Sequence, residues 1–166
     1  MRNEELKRFM FDNSPAMQSE MARKPKECMF GEYPTLKELK INYGTKADIS
    51  WMIPQLIDIS EFCGAKNKLD NDQIMQTAMV ISSEYGYLKT SELMLFFHYL
   101  KAGRYGIFYG SVDPMKITTA LRQFLVDRND YFYRLDQKER ERKREEARKG
   151  AVTYEEYQRL LKEGKI

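Results

Sequence analysis

Apolar residues recur at helical spacing in the middle of the chain. The first stripe is formed by Ile49, Met52, Ile53, Leu56, Ile57 and Cys63. A second stripe follows a capping-box-like pair, Asp70 and Gln73, and consists of Ile74, Ala78, Ile81 and Tyr85. The pattern predicts two helices, each with one buried face, that end at Gly64 and Gly86. Pro54 predicts either a kink in the first helix or a helix start just before it.

A third helix is predicted from its density of apolar residues rather than from a stripe. Almost every position in the stretch Leu93–Leu100 is apolar, and this composition is typical of a helix buried on most sides. Thr90 is the predicted N-cap, and Gly103 is expected to end the helix in the left-handed region, with Gly106 and Gly110 as further candidates for positive φ. We expect this helix at the centre of the fold.

The longest predicted helix opens at Asp113 and Pro114, an N-cap followed by proline at the first helical position. Its apolar stripe stops at Leu135, but acid–base pairs at i,i+4 continue as Asp136/Arg140, Glu139/Lys143 and Glu145/Lys149. The helix is therefore predicted to continue to about Lys149, where Gly150 breaks it. A capping box of Thr153 and Glu156 then predicts a short final helix.

The first 45 residues are less regular. Prolines recur at Pro15, Pro25 and Pro34, and two interpretations stay open: a partly disordered arm, or a belt of apolar side chains packed on the rest. The sequence thus predicts an all-α protein, a small helical bundle with a long charged C-terminal helix. Its expected parts are a loosely ordered N-terminal arm (1–45), a helical core domain (46–135) and a charged helical extension with a short terminal helix (136–166).

Charge and cysteine content narrow the class of protein. The chain has 28 basic and 25 acidic residues, which nearly cancel to +3 and exclude a histone-like polycation. Cys28 and Cys63 are too far apart for a metal-binding CxxC pair, so we expect reduced thiols in a cytoplasmic protein. The N-terminus lacks the apolar region of a signal peptide, and no apolar stretch approaches the roughly 20 residues that span a bilayer, so no membrane is predicted as a partner.

Catalytic signatures are scarce. His98 is the single histidine, and its place between Phe97 and Tyr99 favours a packed, hydrogen-bonded side chain over a general base or a metal ligand. The sequence contains neither a GxSxG elbow nor a Walker A loop. We therefore expect no enzyme, no cofactor and no metal site.

A basic excess in the C-terminal helix is one candidate for interaction chemistry. Residues 134–149 carry eight basic and five acidic side chains. Arg140, Arg142, Lys143 and Arg144 are the candidate contacts to nucleic-acid phosphates. The alternative is a charged helix that is simply solvated.

The segment GRYGIFYGSVDP, residues 103–114, is a second candidate and is predicted to be a tight loop or a small hairpin. It interleaves a cation with flat rings, the mixture found in proteins that bind single-stranded nucleic acids: Arg104, Tyr105, Phe108 and Tyr109. Two alternatives stay open. The rings anchor the loop onto the helices, or they form a protein-binding hot spot, which is rich in Tyr and Arg.

The stretch Tyr87–Arg128, with its SELMLFF helix, GRYG turn and FYGSVDP segment, resembles a family of small uncharacterised helical proteins. These proteins come from Bacteroidetes genomes, phages and mobile elements. The segment Ile49–Tyr85 is similar to the family's preceding helices, and the likeness covers about half the chain. The resemblance implies a role in replication or maintenance of mobile DNA, by association alone.

The leading functional hypothesis is a non-enzymatic nucleic-acid-associated accessory protein, such as a replication or helicase-loading adaptor of a phage or mobile element. Its binding to nucleic acid is expected to be weak and non-specific. The alternative is a protein–protein interaction module, with another element-encoded protein as partner and no binding of nucleic acid. Salt dependence separates the two hypotheses, since phosphate contacts weaken steeply with salt and apolar interfaces do not. The sequence leaves the oligomeric state open.

Overall fold

The computed structural model describes residues 2–165, and all regular secondary structure in this range is helical. After α1 (Arg2–Asp12), a 3-10 turn (Pro15–Met17) leads into the remaining helices: α2 (Gln18–Ala22), α3 (Pro25–Phe30), α4 (Leu36–Tyr43), α5 (Ala47–Phe62), α6 (Asn71–Glu84), α7 (Thr90–Lys101), α8 (Pro114–Gly150) and α9 (Tyr154–Lys162). The predicted all-α fold and the long C-terminal helix are confirmed. The chain divides into two compact units, residues 1–124 and residues 125–166.

The first unit is built around α7. Its residues Leu93 to Phe97 are all fully buried, because this helix is apolar on most of its circumference. Helices α2, α3 and α5 contact α7, and α6 packs on α5. The buried side chain of Trp51 on α5 is among the largest in this core. The expectation of a central third helix is thus confirmed.

The boundaries of the core helices follow local signals. Helix α5 runs through Pro54, and Gly64 just beyond it has a φ of 61°. Asp70 and Gln73 form the predicted capping box of α6, in which the Gln73 amide donates to the Asp70 carboxylate at 2.8 Å. The predicted cap of α7 is wrong by one residue. Lys89 takes the N-cap position, and Thr90 is already helical and fully buried.

The N-terminal segment is better ordered than its sequence indicates. Residues 2–43 form short helices, and their buried side chains include Gln18, Cys28, Met29, Leu36 and Leu39. The backbone carbonyl of Asn13 accepts hydrogen bonds from the Trp51 indole at 3.1 Å and from the Gln55 amide at 3.0 Å. Such long-range polar contacts leave no periodic trace in the sequence, which explains the expectation of a loosely ordered arm. The domain boundary at residue 45 stays a prediction.

A short backbone pairing fixes the start of α4 against the start of α7. The amide of Leu36 donates to the carbonyl of Leu88, and the amide of Thr90 donates to the carbonyl of Pro34. The Lys89 ammonium donates to two carbonyl oxygens, of Met29 and of Gly31, at 2.9 Å each. These bonds satisfy carbonyl groups at the end of α3 that have no partner within the helix.

The second unit contains the charged part of α8 and the short helix α9. Helix α8 continues without a break past Leu135 to Gly150, as predicted. Its carboxylate–guanidinium pairs include Asp130 with Arg134 at 3.0 Å and Asp136 with Arg140 at 3.1 Å. Of the three predicted pairs, Asp136 with Arg140 forms an ion pair, whereas Glu139 binds Arg142 instead of Lys143. The predicted cap of α9 is present, since the hydroxyl of Thr153 accepts from the Glu156 amide at 3.1 Å. Most side chains here are exposed, so local pairing rather than burial supports these helices.

Candidate nucleic-acid interface

The loop between α7 and α8 turns at three glycines with positive φ. Gly103, Gly106 and Gly110 have φ values of 79°, 94° and 73°, which confirms the expectation from their spacing. The backbone of Asn67 fastens the far end of the loop, donating to the carbonyl of Gly110 at 3.1 Å and accepting from the amide of Val112 at 2.9 Å. The predicted alternatives of loop and hairpin resolve to a loop, because residues 103–113 do not pair with one another as β-strands.

Arg104 stacks on a ring instead of pairing with an acid. Its guanidinium carbon lies 3.5 Å from the centroid of Tyr99, a close cation–π contact. Within residues 2–165, no carboxylate lies within ion-pair distance of this guanidinium. The side chain is exposed, so its donors face solvent and can bind an anion.

The two predicted tyrosines of the loop have different environments. The Tyr105 ring is half-buried, with its centroid 5.9 Å from that of the core residue Phe96, so it anchors the loop. Tyr109 is 83% exposed. For Tyr105 the structure favours the anchoring interpretation, and Tyr109 presents a ring face to which a base can stack.

Lys116 is a component of this site that the sequence reasoning missed. Its ammonium lies 5.2 Å from the ring centroid of Phe108 and 5.7 Å from that of Tyr109, so one cation joins two rings. Lys116 sits in the first turn of α8, just after the proline that sets the helix start. That position relative to the aromatic loop was the available signal, because the first turn of a helix lies next to the residues that precede it.

Arg104, Tyr105 and Lys116 border an open cleft of about 600 Å³. Its walls are formed by Arg104, Tyr105, Asp113, Met115, Lys116, Thr119, Ala120 and Gln123. The Asp113 carboxylate faces the same cleft and accepts from the Met115 amide at 2.9 Å, as the predicted N-cap of α8. With two cations and one carboxylate, the cleft has a net positive charge that favours an anionic ligand.

The candidate residues on the charged part of α8 differ in the ion pairs that they form. Arg142 binds two carboxylates, Glu139 at 2.6 Å and Glu146 at 2.5 Å, and Arg140 pairs with Asp136. The hydrogen bond from Arg142 holds the pKa of Glu139 below its usual value. Lys143 and Arg144 form no ion pair within residues 2–165, although the charge of Lys143 also lowers the pKa of Glu139. They are therefore the cations of this cluster most available to phosphate.

His98 lies within hydrogen-bond distance of a polar partner, as predicted, but it is not the core residue that its apolar neighbours indicate. It is partly exposed, and its Nδ1 lies 3.3 Å from the Ser19 hydroxyl oxygen. Burial first, then the positive charges of Lys101 and Arg104, lower the pKa of this imidazole. Across residues 2–165, no three His, Cys, Asp or Glu side chains cluster as a metal site would require. Nor does this range include a helix long and apolar enough to cross a membrane.

Comparison with known proteins identifies a family but no function. No curated protein and no solved structure matches the chain. One family of unknown function, DUF6633, matches residues 68–166, more than half of the chain. The matched region includes α6, α7, the glycine loop, α8 and α9. On this match, the chain belongs to the family of unknown function DUF6633.

Proposed function

We propose that this protein is a non-enzymatic accessory protein that associates with nucleic acid in the cytoplasm. The observation that carries the proposal is an open, positively charged cleft lined by Arg104 and Lys116, with the exposed ring of Tyr109 centred 5.7 Å from the Lys116 ammonium. Cations supply attraction to phosphates, and an exposed ring supplies a stacking surface that tolerates any base. Replication or helicase loading for a phage or mobile element is the role that agrees with the sequence resemblance.

The charged part of α8 supports the same proposal independently. Lys143 and Arg144 are exposed and form no ion pair among the described residues, so phosphate contact breaks no existing ion pair. Arg140 and Arg142 are held by exposed pairs, which contribute little to stability and exchange readily for other anions. Acidic neighbours dilute the basic excess, so the expected affinity is that of non-specific binding, about 10⁻⁴–10⁻⁶ M at physiological salt.

Titration of a fluorescent DNA strand at several salt concentrations tests the proposal. The full-length protein is expected to bind at low salt, with affinity that falls linearly on logarithmic axes as salt rises. Two variants separate the two basic regions: Arg104→Gln with Lys116→Gln, and the quadruple Gln replacement of Arg140, Arg142, Lys143 and Arg144. Each is expected to flatten the salt dependence, because fewer counterions are released from the strand.

Matched controls show whether the change in salt dependence is specific to the cleft and to the four basic residues of α8. Lys24→Gln removes an exposed lysine between α2 and α3 that pairs with Glu27 at 3.8 Å, so its salt dependence should equal that of the parent. Gln retains most of the helix propensity of Arg and Lys, so unfolding temperatures should stay nearly constant. Equal affinities for the parent and both multiple variants at every salt concentration would exclude nucleic-acid binding by these residues.

One feature favours the alternative, a protein-interaction module. Helix α9 leaves three apolar side chains on one face exposed: Tyr154, Tyr157 and Leu161. Their spacing of i, i+3 and i+7 is that of a helix recognised in an apolar groove. If the protein instead binds a partner through this face, the binding should persist at high salt and weaken on Tyr157→Ala, with the DNA titration showing no binding.

A further inference from the structure

We propose that the cleft recognises an unpaired strand, because a second pocket behind the same loop receives one nucleobase beside Cys63. The inference rests on the proposed function and names its ligand class: single-stranded DNA or RNA rather than duplex. The two nucleic acids share the chemistry involved, a flat base next to a phosphate.

The pocket is small and mostly apolar. It has a volume of about 170 Å³, and its main lining residues are Ile59, Phe62, Cys63, Leu100, Ile107 and Phe108. An apolar cavity of roughly 150 Å³ in another protein stays dry and binds benzene. The pocket therefore matches one six-membered ring, the size of a pyrimidine.

Exposed apolar side chains surround the mouth of this pocket. Phe62 is 61% exposed and Ile107 is 57% exposed, although burial of either side chain would be favourable. A flat base inserted between them would cover these surfaces by stacking and apolar contact.

Lys116 connects the apolar pocket to the charged cleft. It lines the cleft, and its ammonium lies 5.2 Å from the ring centroid of Phe108, which lines the pocket. A Cβ added to Gly106, another lining residue of the pocket, would come within 3.5 Å of the same ammonium nitrogen. A base in the pocket would thus have its phosphate near Lys116, the geometry that one nucleotide requires.

The charges around the pocket fit the same occupant. Lys101 lines the pocket, and its ammonium is bound to the Asp58 carboxylate at 2.6 Å and lies 5.5 Å from the Phe62 ring centroid. That pair is locally neutral, so Lys116 remains as the cation for a phosphate. Glu61 on the same turn as Phe62 is bound to Lys68 at 2.6 Å and adds no uncompensated negative charge.

Only an unstacked base can enter such a pocket. In a duplex, each base is stacked and paired, and its extraction costs free energy that single strands do not spend. The site is therefore expected to prefer a single strand over a duplex of the same sequence.

Cys63 allows the pocket to be blocked in the folded protein. Its thiol is partly exposed, whereas Cys28 is 2% exposed and burial raises the pKa of Cys28 to about 11. Burial raises the pKa of Cys63 as well, against the lowering effect of the Lys116 charge, so the two thiols are distinguished chiefly by access. Alkylation with N-ethylmaleimide under native conditions is thus expected to modify Cys63 alone. The protein stays folded throughout this modification, so a change in binding does not come from refolding.

The experiment compares three probes: a short oligothymidylate, an abasic strand of equal length and a duplex of equal length. The unmodified protein should bind oligothymidylate more tightly than either other probe. Alkylation should weaken oligothymidylate binding by about 5- to 150-fold, the range for one stacked base, and leave the abasic strand unchanged. Cys63→Ser is the matched control: treatment with the same reagent should leave its affinity for oligothymidylate equal to that of the untreated Cys63→Ser protein.

The outcomes separate this inference from the proposed function. If alkylation leaves oligothymidylate binding unchanged, or if the duplex binds as tightly as the single strand, the base pocket is overturned while nucleic-acid binding stands. If no probe binds the unmodified protein even at low salt, the proposed function fails together with this inference. Salt-resistant binding of a protein that competes for Cys63 would assign the pocket to a protein partner and overturn the inference.

Discussion

Helix α7 and the charged part of α8 are both continuous helices, yet different forces support them. In α7, the five residues from Leu93 to Phe97 are fully buried, and burial of apolar surface is the main stabilising term. From residue 138 to residue 150 of α8, every side chain is exposed, and stability comes from helix propensity and exchangeable ion pairs.

The two helices differ in the substitutions that they tolerate. A substitution in α7 alters packed contacts that have no replacement, so it should act on folding. A substitution in the charged part of α8 alters only solvated groups, so it should act on binding while the fold persists. The loop from Gly103 to Gly110 has both characters, since Tyr105 contacts the core and Tyr109 faces solvent.

The largest expected difference between the two helices comes from removing a ring. Phe96→Ala should lower the free energy of unfolding by about 3–5 kcal/mol, as truncation of a buried Phe does. Its ring centroid lies 5.2 Å from that of Phe97 and 5.7 Å from that of Phe124, so a cavity would open among packed rings. Urea unfolding measures the loss. Tyr133→Ala, at a position 63% exposed on α8, is the control and should change stability by only about 0.5 kcal/mol.

A smaller contrast is expected from adding a methyl group to a glycine. Gly103 has a φ of 79° and nothing within 4 Å of an added Cβ, so Gly103→Ala introduces backbone strain without a clash. The expected loss of unfolding free energy is about 1–2 kcal/mol. Gly150 also has free space but no positive φ, so Gly150→Ala should be neutral or slightly stabilising. Equal losses in the two variants would show that strain at Gly103 is not what matters.

A substitution of Arg142 tests whether exposed ion pairs stabilise the charged part of α8. Arg142→Gln removes contacts to Glu139 and Glu146, and the expected result is a slight loss of helical circular dichroism at low salt. High salt should abolish the difference between variant and parent, because exposed ion pairs are screened. A difference that persists at high salt would point to a packed role for Arg142 instead.

The smallest expected effect is a pH dependence in the first unit. Burial and two nearby cations lower the pKa of His98 below 6.5, so the unfolded chain binds the proton more tightly. Stability is therefore retained above about pH 6.5 and decreases as the pH falls below that value toward the folded-state pKa. Thermal melts of the parent and of His98→Gln should show a steeper decrease for the parent in this window. Parallel pH profiles for the parent and His98→Gln would contradict the assignment of this pH dependence to His98.

Local signals in the sequence were sufficient for much of the fold. The capping box of α6, the Thr153 cap of α9, the glycines with positive φ and the continuous α8 all depend on residues within a few positions of one another. The N-terminal segment was harder, because its order depends on Asn13 accepting from Trp51 and Gln55, which lie 38 and 42 positions away. The predicted start of α7 differs from the observed one by one residue. The side chain of Lys89, the observed N-cap, donates a hydrogen bond to a carbonyl of α3, and cap preferences do not include such a contact.

The candidate site was predictable in its residue types and less so in its geometry. The cation-and-ring composition of the loop indicated Arg104, Tyr105 and Tyr109, but only the fold separates the anchoring ring from the exposed one. Lys116 was missed because it lies outside the loop in sequence and meets it only through the turn into α8. Their role in nucleic-acid binding remains a prediction.

The backbone pairing that joins α4 to α7 bears on how the chain folds as it is synthesised. The amide of Lys37 donates to the carbonyl of Gly86, and the amide of Leu36 donates to the carbonyl of Leu88. The N-terminal partners leave the ribosome first and must wait for about fifty further residues, which takes about 3–10 s at typical translation speeds. During that interval Leu36, which is fully buried in the folded protein, lacks the Leu88 carbonyl that its amide binds in the finished fold.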